Sequence, residues 1–356
     1  MDVGPAVSST RSWGPFLRRR AIMRVSLIAV IAALALSAVE APTVGATKSP
    51  RDGLNALSCP SSTMCMAVGA RGRGHLAELW NGTQWSVTKA PHGGFVSSVS
   101  CPTSTSACAA SGRRIQVWNG TAWTRVGGPI GGGAFFSGFD DVSCIADGSC
   151  VAVGGVPGPG LNGYATSAIG SLGYPKRWVA RTASPPVGLF GLVGVSCTSS
   201  TFCMGVGGQG NTATYAATWN GGSWSTVSIP TIPLTQSLLD SVSCTSPSQC
   251  TAVGYSGSTS HTALVETWNG TAWTIATTPS VVGIVSDVSC ATPNSCMAVG
   301  TSDNNAAFAE GWNGTSWSLV PTASLPGATG SSLSGVSCPG PRTAWRSETR
   351  PLPGGS

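Results

Sequence analysis

Residues 287–321 read DVSCATPNSCMAVGTSDNNAAFAEGWNGTSWSLVP, and this stretch decides the fold. Asp287-Val288-Ser289-Cys290 is a short β-prone segment, and Ala291 to Ser295, with Pro293 and Asn294, is a turn. Cys296-Met297-Ala298-Val299-Gly300 reads as a second strand, followed by a polar loop over Ser302-Asp303-Asn304-Asn305. Ala306 to Trp312 reads as a third strand and Thr315 to Val320 as a fourth, ended by Pro321. Four short strands joined by tight turns predict one small antiparallel sheet.

The same letters recur along the chain. The first cysteines of successive units are Cys59, Cys101, Cys144, Cys197, Cys244, Cys290 and Cys338, spaced by 42, 43, 53, 47, 46 and 48 residues. A period in the forties with strand-like content is the signature of a propeller blade. The expected fold is therefore all-β, a β-propeller of four-stranded antiparallel blades with six complete repeats and a truncated seventh. Forty-eight glycines and charge at only 9 % would suit a disordered chain, but thirteen tryptophans and a hydrophobic fraction of 41 % supply enough apolar surface to offset ordering.

The Asn-Gly pairs at Asn81, Asn119, Asn220, Asn269 and Asn313 read as two-residue type I′ turns, which need positive φ at both central positions. They would set Trp80/Trp85, Trp118/Trp123, Trp219/Trp224, Trp268/Trp273 and Trp312/Trp317 side by side across an outer hairpin. Four of these asparagines match an N-x-T acceptor pattern, which a tight turn explains better.

The thirteen cysteines fall as six close pairs with one left over: Cys59/Cys65, Cys101/Cys108, Cys144/Cys150, Cys197/Cys203, Cys244/Cys250 and Cys290/Cys296, with Cys338 alone. Even pairing inside each repeat is a disulfide framework, and it implies an oxidising compartment. Zinc is the rival reading, but only His75, His92 and His261 are available to complete a ligand set. No cofactor and no metal are expected.

Export is indicated a second time at the N-terminus. Arg18-Arg19-Arg20 and Arg24 precede an apolar run from Val25 to Val39; Val44-Gly45-Ala46 offers small residues for cleavage after Ala46, with cleavage after Ala41 as an alternative disfavoured by Pro42. The expected organisation is a signal peptide with an N-terminal extension over 1–46, a repeat domain over 47–339 and an irregular, disordered tail over 340–356. An uncleaved anchor stays open as the alternative. The expected location is secreted or at the cell surface, with the membrane touched only through the export signal.

Two units depart from the pattern. The third carries a Pro/Gly-rich stretch from Gly155 to Gly163 and keeps one tryptophan, Trp178. The seventh starts with Leu333-Ser334-Gly335-Val336-Ser337-Cys338 and then leaves the pattern. Ring closure with six or with seven positions stays open.

The V-S-C, C-x-A-V-G and W-N-G-T-x-W segments together resemble the tandem repeats of secreted proteins of actinobacteria and similar bacteria, loosely related to kelch and Asp-box propellers. The resemblance spans about 54–339. It implies export and a propeller, and no established activity.

The net charge of +6 is concentrated at the ends. Between Thr47 and Val336 eleven Lys/Arg stand against ten Asp/Glu, so nucleic acid is not an expected partner. Arg113-Arg114 is the one basic pair inside the array and reads as a solvated loop. Glu78, Glu266 and Glu310, with Gln116 at the same place in the second unit, precede the outer hairpin and read as structural. Asp141, Asp240 and Asp287 lie just before the V-S-C strand, where they would line a channel mouth and contact a ligand. No catalytic constellation is recognisable. The favoured function is a non-catalytic module, a monomer, that binds or scaffolds an extracellular glycan, wall polymer or protein. The alternative is an extracellular propeller hydrolase or lyase acting on a carbohydrate.

Overall fold

The computed structural model describes residues 2–7, 53–72, 74–92, 95–126, 138–157, 163–173, 178–182, 191–209, 213–232, 236–322, 330–340 and 343–349. Six units of four antiparallel strands follow one another along the chain; five form separate sheets, and the first shares a seven-stranded sheet with Asp2–Val7, Ser332–Gly340 and Thr343–Thr349. In the sixth unit the strands are Gly283–Thr292, Ser295–Ser302, Ala307–Trp312 and Trp317–Val320. The first strand of that unit starts four residues earlier than Asp287. The chain is a β-propeller.

A seventh position is filled by the antiparallel strands Ser332–Gly340 and Thr343–Thr349. This differs from the expected irregular tail: Thr343–Thr349 continues the array, in the register of the second strand of a blade. Ser337 pairs Trp345 as Ser289 pairs Met297, which sets Ala344 where the second cysteine stands in other units. Asp2–Val7 runs parallel beside Thr343–Thr349. Part of the stretch expected to be removed as a leader is thus drawn against the last hairpin. The remainder of 1–46 lies outside the described residues.

The V-S-C serine explains how the units meet. In each unit the cysteine N–H donates to the serine Oγ of the preceding unit, at 2.9–3.0 Å: Cys101 to Ser58, Cys144 to Ser100, Cys197 to Ser143, Cys244 to Ser196, Cys290 to Ser243 and Cys338 to Ser289. Cys59 N–H then donates to Ser337 Oγ at 3.0 Å, which joins the first unit to the last. The ring closes with seven inner strands.

All six expected disulfides form: Cys59–Cys65, Cys101–Cys108, Cys144–Cys150, Cys197–Cys203, Cys244–Cys250 and Cys290–Cys296. Cys338 is the free cysteine. Their depth is set by the sheet. The second cysteine of every pair is buried: Cys65, Cys108, Cys150, Cys203, Cys250 and Cys296 all belong to the core. Cys65 packs with Leu54, Leu76 and Trp80, Cys150 with Val142 and Ala168, and Cys203 with Leu192, Tyr215 and Trp219. These cysteines are therefore core side chains and staples, and they offer no surface to a ligand. The reason is the register: each stands on the second strand of its blade, which neighbouring strands flank on both sides.

The glycine of C-x-A-V-G has a steric reason. A Cβ on Gly69, Gly112, Gly154, Gly207, Gly254 or Gly300 would run into the carbonyl oxygen of Gly53, Phe95, Gly138, Gly191, Leu238 or Ile284 on the inner strand. Buried side chains between neighbouring blades form the core, as where Met66 and Val68 of one unit meet Val99, Trp118 and Trp123 of the next.

The outer hairpin differs from expectation. The paired tryptophans do face each other, with ring centroids 5.4–5.8 Å apart. The turn is not type I′, however: Gly314 has φ 96°, and its counterparts are similar, but the asparagines keep negative φ. Asn313 Oδ1 instead accepts from Thr315 N–H, Thr315 Oγ1–H and Ser316 N–H at 2.7–3.0 Å. Asparagine acts here through its side chain, and the threonine of N-G-T is selected by the same oxygen. In the third unit the Pro/Gly stretch lengthens the central hairpin, so that Pro157 pairs Gly163.

Candidate functional site

Antiparallel order sends the disulfide turns of six units and the Asn-Gly hairpins of five to one end of their blades. That end is constant. The indole N–H groups of Trp80, Trp219, Trp268 and Trp312 donate to carbonyls of the adjoining disulfide turn, Ser62, Ser200, Pro247 and Pro293, at 3.1–3.3 Å. The opposite end carries the loops between second and third strands and the connections between blades. Its sequence differs from unit to unit.

Two carboxyl groups on first strands bridge neighbouring units. The residues just before the V-S-C valine, or its Leu57 counterpart, are Ala56, Ser98, Asp141, Gly194, Ser241, Asp287 and Gly335, so Ser-Asp-Gly occurs twice around the ring. Asp287 Oδ1 accepts from Ser241 Oγ–H of the preceding unit at 2.6 Å, and its Oδ2 accepts from Val336 N–H of the following unit at 2.7 Å. Asp141 repeats this with Ser98 and with Val195 N–H at 2.8 Å. Glycine follows because the strands crowd: a Cβ on Gly194 would sit 2.9 Å from Asp240 O. Burial raises both carboxyls, Asp287 to about 7, against the lowering effect of these hydrogen bonds.

Asp240 is displaced from this position by one residue. It occupies a β-bulge, the register shifting between Leu239 and Ser241. At the same level Asn55 Nδ2–H donates to Val96 O at 2.7 Å and Ser97 Oγ–H to Phe139 O at 2.8 Å, each reaching the next unit. Burial pushes Asp240 up to about 7, and its Oδ2 finds no hydrogen-bond partner among the described residues. Asp140 remains open to solvent at its edge while its carboxyl is crowded by protein; burial first, and Asp141 second, push it up to about 6.

Of the three aspartates expected at a channel mouth, Asp141 and Asp287 hydrogen-bond neighbouring units, and Asp240 stands one residue earlier in its unit, on a bulge. Sequence reasoning missed Asp140 and the serine partners. The repeated Ser-Asp-Gly order around the ring was the available signal.

Glu78, Glu266 and Glu310 are within 1 % of full burial. Their counterpart Gln116 shows what the position does. Its Oε1 accepts from His92 N–H at 2.7 Å and its Nε2–H donates to His92 O at 3.0 Å, which fixes the connection between blades. Burial pushes Glu266 and Glu310 up to about 7, and Glu266 is held also by Thr214 Oγ1–H at 3.5 Å.

On the variable end His261 Nδ1 lies 3.0 Å from Asp303 Oδ1, while His261 N–H donates to Asp303 Oδ2 at 3.0 Å. Tyr255 meets the imidazole edge-on at 4.9 Å. These contacts tie the loops of the fifth and sixth units. Among the described residues no group of three or more His, Cys, Asp or Glu side chains is placed to hold a metal ion, and no helix is long and apolar enough to cross a membrane.

Searches against protein-family models and curated proteins match nothing. Solved structures do match. YCF48 from Cyanidioschyzon merolae is similar at TM-score 0.55 and 13 % identity, over 85 % of this chain and 95 % of that one. YCF48 bound to D1 peptide is similar at TM-score 0.53 and 13 % identity, over 85 % and 91 %. U3-55K is similar at TM-score 0.50 and 12 % identity, over 69 % and 72 %. Identities this low establish the propeller fold alone. No matched family confirms the actinobacterial or kelch-like resemblance.

Proposed function

We propose that this protein is a secreted, non-catalytic propeller whose variable end binds an extracellular glycan, wall polymer or protein. The observation that carries this reading is the division of labour between the ends. One is fixed by disulfides and N-G-T turns repeated in unit after unit, whereas the other changes in every unit. The acids support a binding role over catalysis, since Asp141 and Asp287 are engaged between blades and Glu78, Glu266 and Glu310 are buried within them. Six disulfides support an oxidising compartment. The solved YCF48 complex with a D1 peptide supports peptide as one ligand class for such a ring.

The test is an array of glycans and peptides, with turnover assays on every hit and N-terminal sequencing of the exported protein. Binding without turnover, protection from hydrogen exchange at the variable end, and a mature chain starting at Thr47 are expected. Turnover of a bound carbohydrate, or protection confined to the disulfide turns, overturns the reading.

A further inference from the structure

Charge is balanced along the repeat domain, but several of its cations fall in the loops at the variable end of the first two units. Arg71 lies at the end of Met64–Arg71, and His75 follows across the turn in Gly74–Trp80. His92, in the connection to the second unit, is close enough to add to burial in holding His75 below its ordinary value. Gln116 clamps the main chain of His92 through N–H and carbonyl. Arg113 and Arg114 sit in the turn just before Gln116, between Cys108–Gly112 and Gln116–Trp118. Phe95 closes the group: its carbonyl packs where a Cβ of Gly112 would lie, and its side chain is 65 % exposed.

Arg71, Arg113 and Arg114 are exposed, and none forms an ion pair among the described residues. Of the described acids nearby, Glu78 is buried, and the exposed Asp140 lies two residues beyond Gly138, which packs against the backbone of Arg113. Arg113-Arg114 is a solvated turn, as expected. Three guanidinium groups and an exposed phenyl ring occupy the variable end of two adjacent blades.

We infer that this patch, the ends of the first and second blades, binds an acidic peptide segment carrying an aromatic or large apolar residue. The inference rests on the reading of the variable end as the binding end. Guanidinium groups recognise carboxylates through paired, charge-assisted hydrogen bonds, and phenyl rings favour apolar contacts that a bare polyanion does not offer. A nearly neutral body supplies little long-range attraction for a long anionic polymer. The two kinds of contact together select a peptide.

The experiment is fluorescence anisotropy of a labelled peptide in which glutamates alternate with phenylalanine, titrated with the full exported chain. A lysine-for-glutamate peptide and unlabelled poly-glutamate are run beside it. Saturable binding of the acidic peptide alone is expected. Arg113→Glu combined with Arg114→Glu weakens it more than about tenfold, and Phe95→Ser weakens it about tenfold. Arg71→Ala, on a separate turn, provides an independent variant, and far-ultraviolet spectra with disulfide mapping confirm that each protein is folded. Absence of saturable binding overturns the inference, as does unchanged affinity in the folded arginine variants. Competition by poly-glutamate that is indifferent to Phe95→Ser assigns a polyanion surface instead, which also overturns it. A different ligand protecting other loops of the variable end would remove this site while leaving the broader reading in place.

Discussion

Cys59 N–H donates to Ser337 Oγ at 3.0 Å across 278 residues of sequence, and this contact joins the first and last inner strands. It repeats the bond made between each consecutive pair of units. Ser337→Ala leaves a partly buried backbone donor without its partner. The expected loss is about 1–3 kcal/mol, read as a lowered midpoint in urea. Ser243→Ala, inside the array, should cost about the same, because the two bonds are equivalent. A silent Ser337→Ala beside a costly Ser243→Ala would mean that the first and last units do not meet.

Gly254→Ala tests the crowding behind C-x-A-V-G. The added methyl meets Leu238 O and must push the inner strand away. A loss of about 1–3 kcal/mol is expected. Gly340→Ala, where no atom lies within 4 Å of an added Cβ, serves as the comparison and should change stability little.

Glu310→Gln tests the buried position that Gln116 fills in the second unit. Burial raises Glu310 to about 7 in the folded protein, and neither of its carboxyl oxygens has a hydrogen-bond partner among the described residues. The folded state therefore holds the proton more tightly than the unfolded state does. The sign follows: this group adds no penalty below its ordinary pKa, destabilises progressively as pH rises toward about 7, and exerts its full cost above that. The cost is on the order of 3 kcal/mol. Thermal unfolding at pH 8 should show Glu310→Gln as the more stable protein, with the difference vanishing toward pH 4. A variant destabilised equally at both pH values contradicts this.

Opening a single disulfide tests how local the stapling is. Cys244→Ser with Cys250→Ser should cost about 2.4 kcal/mol by chain entropy alone and leave the other five bonds intact in a mass map. Scrambling of the remaining cysteines would show that the staple also directs folding.

Much of this architecture could be read from repeated letters. The period gave the blade, the cysteine spacing gave every disulfide, and the paired tryptophans gave the outer hairpin. Spacing is silent on depth, however. That Cys65, Cys150 and Cys203 are core side chains follows only from the flanking strands and the adjoining blades. Ser58 and its equivalents were visible as a repeated letter, but their partner lies one unit away, so no local pattern declares the bond. Asn313 was assigned to the right turn with the wrong conformation, because Asn-Gly fits both a positive-φ pair and a side-chain acceptor followed by glycine. Thr343–Thr349 escaped recognition because its side chains abandon the motif while its backbone keeps the register. Asp240 looked like Asp141 and Asp287 until the bulge set it at a different level. The cations of the first two blades are separated by about forty residues in sequence and share one end of the array only because successive units repeat the same strand order.

The most direct test of the shared register is Ala344→Cys. Ala344 is buried and occupies the place that Cys296 holds opposite Cys290. If the last hairpin completes the ring as a seventh unit, peptide mapping of the oxidised variant will find Cys338 joined to the new cysteine, with the six native pairs unchanged. Two free thiols at these positions, or Cys338 joined to another unit, would contradict closure by that hairpin.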